Sequence, residues 1–309
     1  MKVLLSGASG LVGSALIPLL TSRGHQVVRL VRSQPGDEVS EVHWDPEAGD
    51  IDAAGLKGVG AAVHLAGESI AAGRWTAAKK ARILESRVKG TRLLAEALAG
   101  LKQPPKVLVS ASAVGYYGDR GEETLREESG SGSAFLSEVC RQWEAATEPA
   151  AAAGIRVVNL RFGVILASAG GALPRLLTPF RLGVGGTLGS GKQFMSWIAL
   201  DDVTGAILHA LTTEALRGPV NAVGPQAVTN REFTKTLGRV LGRPTFFPMP
   251  ACAARLAFGE MADELLLASQ RVEPAKLLAS GYRFRFPELE GALRHVLGKE
   301  RGERAAGPV

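Results

Sequence analysis

Seven residues near the start, Gly7-Ala8-Ser9-Gly10-Leu11-Val12-Gly13, stand directly between the apolar run Val3-Leu4-Leu5 and the apolar stretch Ala15-Leu16-Ile17-Pro18-Leu19-Leu20. A glycine at every third position of a strand-to-helix turn lets the backbone come close to a charged ligand. The N–H groups that open the following helix point toward negative charge with the helix dipole behind them. The placement predicts a pyrophosphate cradle contacted by Gly7, Ser9, Gly10, Leu11, Val12 and Gly13.

The second apolar run, Gln26-Val27-Val28-Arg29-Leu30-Val31-Arg32-Ser33, ends in arginine, where a site for NAD carries an acid that binds the ribose 2′-hydroxyl. A guanidinium beside a serine suits a 2′-phosphate, which a carboxylate would repel, so Arg32 points to NADP(H) over NAD. Apolar periodicity then gives a strand over 61–67, a helix over 76–98, a strand over 106–110, a helix over 134–153 and a strand over 155–160. The fold class is therefore α/β. Residues 1–165 form a Rossmann-type, right-handed doubly wound parallel sheet that is the NADP(H)-binding domain.

From Gly163 the texture changes. The loop Gly183-Val184-Gly185-Gly186-Thr187-Leu188-Gly189-Ser190-Gly191 is one no sheet would tolerate, and it covers a ligand or turns between lobes. Asp201-Asp202 caps a helix through Leu211, and 219–223 forms another strand. Residues 166–298 make a smaller C-terminal α/β substrate lobe, helical from about 229, and 299–309 make a disordered tail.

Composition narrows the function. Lys and Arg number 36 against 30 Asp and Glu, a balance of +6, but they are scattered without interleaved aromatics, so nucleic acid is not an expected partner. A small molecule that can be nucleotide-linked or phosphorylated is. Cys140 and Cys252 are the two cysteines, far apart and outside any Cys/His cluster, which predicts neither a disulfide nor a metal. With no apolar run near the length of a membrane span and no charged leader, the expectation is a cytoplasmic monomer or homodimer without membrane contact.

Further stretches resemble a known family. His43-Trp44-Asp45-Pro46, His64-Leu65-Ala66-Gly67-Glu68-Ser69-Ile70, Arg74-Trp75-Thr76 and Ser86-Arg87-Val88-Lys89-Gly90-Thr91 are similar to the extended short-chain dehydrogenase/reductases. Within them they resemble the atypical epimerase family group, NAD-dependent epimerase/dehydratase-like proteins with a characteristic C-terminal domain. Gly259-Glu260-Met261-Ala262, Gln270-Arg271-Val272-Glu273-Pro274 and Ser280-Gly281-Tyr282 resemble that domain's signature, and the likeness covers residues 1–298. It implies that Leu65, Ala66 and Gly67 pack against the adenosine side of the cofactor, that Glu68 bonds a ribose hydroxyl and that Arg74 holds a phosphate. It further implies that the strand end at Ser110 and Ser112 faces the nicotinamide, and that Lys192 and Gln193 hold a substrate phosphate. Trp44 and Trp75 are packing aromatics.

The departure from the family concerns the proton relay, a serine with a Tyr-x-x-x-Lys pair. Aligned on Glu144, the tyrosine position holds Leu136 and the lysine position holds Cys140. Leucine cannot titrate, and a thiol supplies no ammonium to lower a phenol's pKa. Ser112 keeps the family serine position, and Tyr116 and Tyr117 are the nearest phenols, so these three are the catalytic candidates. Tyr116 and Arg120 stand four apart, but Gly118 and Gly121 argue against a helix there. Two functions stay open. One is an oxidoreductase or epimerase moving a hydride between the nicotinamide and a small carbonyl or carbinol; the other is a catalytically degenerate NADP(H)-dependent regulatory or binding protein.

Overall fold

The computed structural model describes residues 1–33 and 40–299. The first half runs β1 (Lys2–Ser6), α1 (Leu11–Ser22), β2 (Gln26–Val31), β3 (Glu41–Asp45), β4 (Asp50–Ile51), β5 (Ala61–His64), α2 (Ala77–Ala99) and β6 (Val107–Ala113). A 3₁₀ turn at Val114–Tyr117, β7 (Thr124–Leu125), α3 (Phe135–Ala145), α4 (Glu148–Ala152) and β8 (Arg156–Phe162) complete it. The strands are nearly continuous apolar runs because both faces of the sheet are covered. Alternation still sorts them: Val3 and Leu5 pack with Leu16 and Leu20 of α1, while Leu4 packs with Leu94 and Leu98 of α2.

The helix expected over 134–153 is broken. Pro149 in the first turn of α4 has no N–H to donate back to the last turn of α3. The polar stretch after β2 holds the hairpin of β3 and β4, which buries Trp44. β6 runs to Ala113, so Ser112 lies within a strand, in register with Arg161, and not on the loop after it.

The second half contains β9 (Val164–Leu166), α5 (Leu173–Arg181), β10 (Phe194–Met195), β11 (Trp197–Ala199), α6 (Leu200–Thr212) and β12 (Gly218–Ala222). After these come β13 (Val228–Thr229), α7 (Asn230–Leu241), α8 (Ala251–Phe258), α9 (Glu260–Ala262), a π turn at Asp263–Leu267, β14 (Arg271–Val272), α10 (Ala275–Ala279) and α11 (Leu289–Val296). The main sheet has the order β12-β8-β6-β5-β1-β2-β3-β4, parallel throughout except for the β3–β4 hairpin.

The boundary expected at residue 165 is therefore not where the nucleotide-binding sheet ends. Its edge strand β12 pairs with β8 from Gly218 to Ala222, and α6 packs on α1. The smaller lobe has its own core, in which Leu173 and Leu177 of α5, Phe233 and Leu237 of α7, and Leu289 and Leu293 of α11 meet around Trp197. α7 begins with a capping box between Thr229 and Glu232 and stops at Gly242, whose φ of 65° is left-handed. Apart from Lys299, the tail assigned to 299–309 lies outside the described residues.

Candidate functional site

The glycine turn lies where β1 ends, and its three glycines have different reasons to be glycine. Gly7 has a φ of 69°, and a Cβ there would meet the Leu65 carbonyl carbon at 2.8 Å. A Cβ on Gly13 would stand 2.2 Å from the Gly7 oxygen, so this glycine lets α1 close onto the turn. Gly10, the N-cap of α1, has an ordinary extended backbone, and only the Gly7 oxygen, at 3.2 Å, lies near a Cβ built on it. Two glycines thus serve packing, and the third leaves bare backbone on the open side of a helix N-terminus, with Ser9 exposed beside it.

The end of β5 is fixed to the same turn. Leu65 N and Ala66 N donate to Ser6 Oγ at 3.1 and 3.3 Å, and Ser6 Oγ is bonded to His64 Nδ1 at 2.7 Å. With its oxygen accepting two N–H groups, the Ser6 hydroxyl donates to Nδ1, which puts the ring proton on Nε2. His64 is fully buried edge-on to Trp44, and burial pushes its pKa down to about 4. Arg32 is exposed at the end of β2 and makes no hydrogen bond or ion pair among the described residues.

The residues after β5 are held by α2. Glu68 accepts from Lys79 Nζ at 2.5 Å, and that bond holds its carboxyl below the usual glutamate range. The Glu68 carbonyl accepts from Arg87 at 3.0 Å. Arg87 lies over the Trp143 ring, and burial lowers its pKa. Arg74 donates to the carbonyls of Leu256 and Ala257 at the end of α8, so its guanidinium ties the loop to the smaller lobe.

At the end of β6 a buried polar chain begins. Ser112 Oγ donates to Glu144 Oε1 at 2.7 Å, and Arg161 grips both oxygens of Glu144 at 2.7 and 2.8 Å. Burial works against the Arg161 charge, but the Glu144 hydrogen bonds and charge outweigh it and hold the guanidinium above its ordinary pKa. Arg161 also donates to Tyr117 Oη at 2.9 Å, and Tyr117 donates to Asn221 Oδ1 at 2.7 Å. Tyr117 is wholly buried with its proton engaged, and burial pushes its pKa up to about 12, which corrects its place among the proton donors.

Tyr116 differs. Its half-buried ring lies 3.5 Å under the Arg161 guanidinium, and its hydroxyl has no partner among the described residues. Leu136 and Cys140 both pack against Gly115, and burial pushes the Cys140 thiol up to about 12, so neither the tyrosine nor the lysine position carries an acid or base useful near neutrality.

Two further expected contacts are placed otherwise. Ser110 is buried within β6, its hydroxyl donating to the Ala111 carbonyl. Gln193 is buried, and its amide nitrogen donates to the Leu188 and Leu266 carbonyls at 3.1 Å each, which braces the glycine-rich loop and leaves no donor for a substrate phosphate. Lys192 is exposed beside it. The glycine-rich loop is anchored inside the smaller lobe, with Leu188 N donating to Asn230.

A cavity of about 260 Å³ lies between the lobes, lined by Gly115, Leu136, Arg255, Glu264, Leu267 and Gln270 among others. A larger groove of about 750 Å³ runs between α1 and α6, but none of the glycine turn, Arg32, Ser112 or Tyr116 lines it. Sequence reasoning missed the Arg161–Glu144 pair and Glu264. A charged residue inside the apolar run 157–162 was the available signal for Arg161; nothing local marked Glu264. Among the described residues no cluster of His, Cys, Asp or Glu has the makings of a metal site, and no helix is long and apolar enough to cross a membrane.

A parallel sheet of this order with an open glycine turn at the first helix defines a Rossmann-type dinucleotide-binding protein. The chain belongs to the NAD dependent epimerase/dehydratase family, whose model matches residues 3–224, and a domain of unknown function, DUF1731, matches residues 249–296. Epimerase family protein Mb2239 of Mycobacterium bovis is 44% identical over 294 residues, covering 95% of this chain and 97% of that protein. The crystal structure of human epimerase family protein SDR39U1 with NADPH is 39% identical with a TM-score of 0.88, over 96% of this chain and 99% of that one. A structure described as the nucleoside-diphosphate sugar epimerase from Corynebacterium glutamicum is 41% identical with a TM-score of 0.79, over 96% of this chain and 58% of that one.

Proposed function

We propose that this chain binds NADP(H) and uses it to move a hydride to or from a small carbonyl or carbinol compound. The observation that carries the reading is the division of labour in the glycine turn, where Gly7 and Gly13 are demanded by packing and Gly10 leaves open backbone at the N-terminus of α1. Residues 9–13 would hold the pyrophosphate, the exposed Arg32 the 2′-phosphate, and Leu65 to Gly67 the adenosine side. The human relative's crystallisation with NADPH supports the same cofactor.

When bound, the dinucleotide supplies the hydride. The chain supplies Ser112 at the β6 end, held by Glu144, which Arg161 grips in turn, and Tyr116 as the one candidate hydroxyl with no partner among the described residues. Titration calorimetry tests the cofactor: NADPH should bind more tightly than NADH, and Arg32→Ala should narrow that gap by about 1–3 kcal/mol, the range for charge-assisted hydrogen bonds. Equal affinities in the unaltered protein would reject it.

A second reading, a dinucleotide-responsive regulatory protein, is favoured by the engaged hydroxyls of Ser112 and Tyr117 and by Leu136 and Cys140 at the relay positions. Tight NADPH binding without oxidation of NADPH by any member of a carbonyl panel would support it.

A further inference from the structure

Where the family carries its tyrosine this chain has Leu136, and a carboxyl from the smaller lobe comes to that place. Glu264 Oε2 accepts from Leu136 N at 2.7 Å and Oε1 accepts from Phe135 N at 3.2 Å, so one side chain caps α3, whose own N-cap Ala134 makes no side-chain bond. Glu264 lies in the π turn Asp263–Leu267, a widening of the helix that is frequent at functional sites. Both Glu264 and Leu136 line the cavity of about 260 Å³ between the lobes, and so does Gly115, three residues beyond Ser112. Tyr116 and Tyr117 do not line it.

We propose that Glu264 is the proton donor of this site, protonating the carbonyl oxygen of a neutral substrate held in the cavity as that carbonyl is reduced to an alcohol. The proposal rests on the hydride-transfer reading above. The carbonyl carbon takes the hydride, the π pair of the C–O bond moves to oxygen, and oxygen takes the Glu264 proton. NADPH is oxidised, the carbonyl is reduced, and solvent returns the proton to the carboxylate.

The surroundings suit the role. Burial raises the Glu264 pKa above the usual glutamate range, and its two backbone N–H bonds oppose that only in part while fixing the carboxyl's orientation. Nearby charges are largely matched. Glu260 pairs with Lys80, Asp263 pairs with Arg255, and Asp119 accepts from Ser269 N and Gly121 N. With Glu264 protonated in its working state, the cavity lining carries Asp119 and Asp263 against Arg255, an excess of negative charge that disfavours anionic substrates.

The test uses the full chain with NADPH and phenanthrenequinone, a neutral dicarbonyl, as probe. The acid must be protonated to act, so kcat/KM should fall as pH rises through the Glu264 pKa. Glu264→Gln keeps an oxygen to cap α3 but has no acidic proton. It should lower kcat/KM by about 10²–10⁴-fold and abolish that limb. NADPH affinity should stay unchanged in Glu264→Gln, while Tm should fall by a few degrees because the amide nitrogen cannot accept from one of the two α3 N–H groups.

A second readout needs no turnover. In cofactor-free protein labelled with carbon-13 at the glutamate carboxyls, the resonance lost in Glu264→Gln should titrate above the ordinary glutamate range, at the pKa of the kinetic limb. A resonance titrating at or below that range overturns the inference, as does Glu264→Gln activity within about threefold of the unaltered protein with its limb intact. If the unaltered protein never oxidises NADPH with the quinone, the hydride-transfer reading fails and takes this inference with it. Turnover that survives Glu264→Gln removes the inference alone.

Discussion

Single residues near the cofactor turn differ in what they can lose. A side chain at Gly10 would project toward the open side of the α1 N-terminus, so Gly10→Val should abolish NADPH binding in calorimetry while leaving the thermal transition nearly unmoved. Gly13→Ala should destabilise the fold by about 1–3 kcal/mol or more, because its Cβ would stand 2.2 Å from the Gly7 oxygen. Unchanged NADPH affinity in a folded Gly10→Val variant would mean that the turn only joins a strand to a helix. His64 gives the same region a pH dependence. The folded protein protonates this buried ring only below about pH 4, whereas the unfolded chain does so from about 6.5, so stability is lost as pH falls between those values. Between pH 7 and pH 4, denaturant unfolding of the unaltered protein should lose on the order of 3 kcal/mol more than that of His64→Gln. Equal losses would show that the ring is not buried neutral.

At the scale of elements, the polar chain from β6 through α3 to β8 fixes the end of the sheet that the candidate site uses. Glu144 on α3 is the only side chain that bonds both Ser112 and Arg161 among the described residues. Glu144→Gln leaves a buried guanidinium without its counter-charge and should cost about 3–5 kcal/mol in denaturant unfolding. Ser112→Ala, which removes only one hydrogen bond of the chain, should cost about 1 kcal/mol. Similar costs for the two would mean that Arg161 is held by its other partners. The same elements show what the sequence made legible. β1, α1, β2, β5, α2 and β6 are contiguous periodic runs, and their types and order follow from apolar spacing next to a glycine turn. β12 could not be placed that way, because a five-residue strand joins the sheet through pairing with β8 and carries no local mark of its partner. Pro149 was visible, yet the apolar spacing of 134–153 spoke for one helix, and the break followed from the missing N–H. The cofactor side of the site was local and hence readable. The Glu144–Arg161 pair spans β8 and α3, and Glu264 meets Leu136 across 128 residues, so both depend on tertiary packing that periodicity does not encode.

For the molecule as a whole, the segment matched by DUF1731 is part of the fold and not an appended domain. Leu277 of α10 is fully buried within the core of the main sheet, and Val272 of β14 packs with Tyr117, Leu125 and Val223. Leu289 and Leu293 of α11 close the core of the smaller lobe. Backbone bonds follow the same path, with Gln270 N donating to the Phe194 carbonyl and Glu273 N to the Leu125 carbonyl. Asp202 of α6 accepts from Arg285 N, Phe286 N and Tyr282 Oη, which binds the aromatic run 282–286 to a helix of the nucleotide-binding sheet. Deleting even one such buried leucine side chain costs about 2–5 kcal/mol, and a domain's whole stability is about 5–15 kcal/mol. A chain ending at residue 248 loses four of these buried residues together, along with every hydrogen bond just named. It should therefore be recovered as aggregate, or show no cooperative thermal transition by circular dichroism. A soluble, monomeric 1–248 fragment melting cooperatively within about 5 °C of the full chain would refute this, since a shift that small corresponds to only a few kcal/mol for a protein of this size.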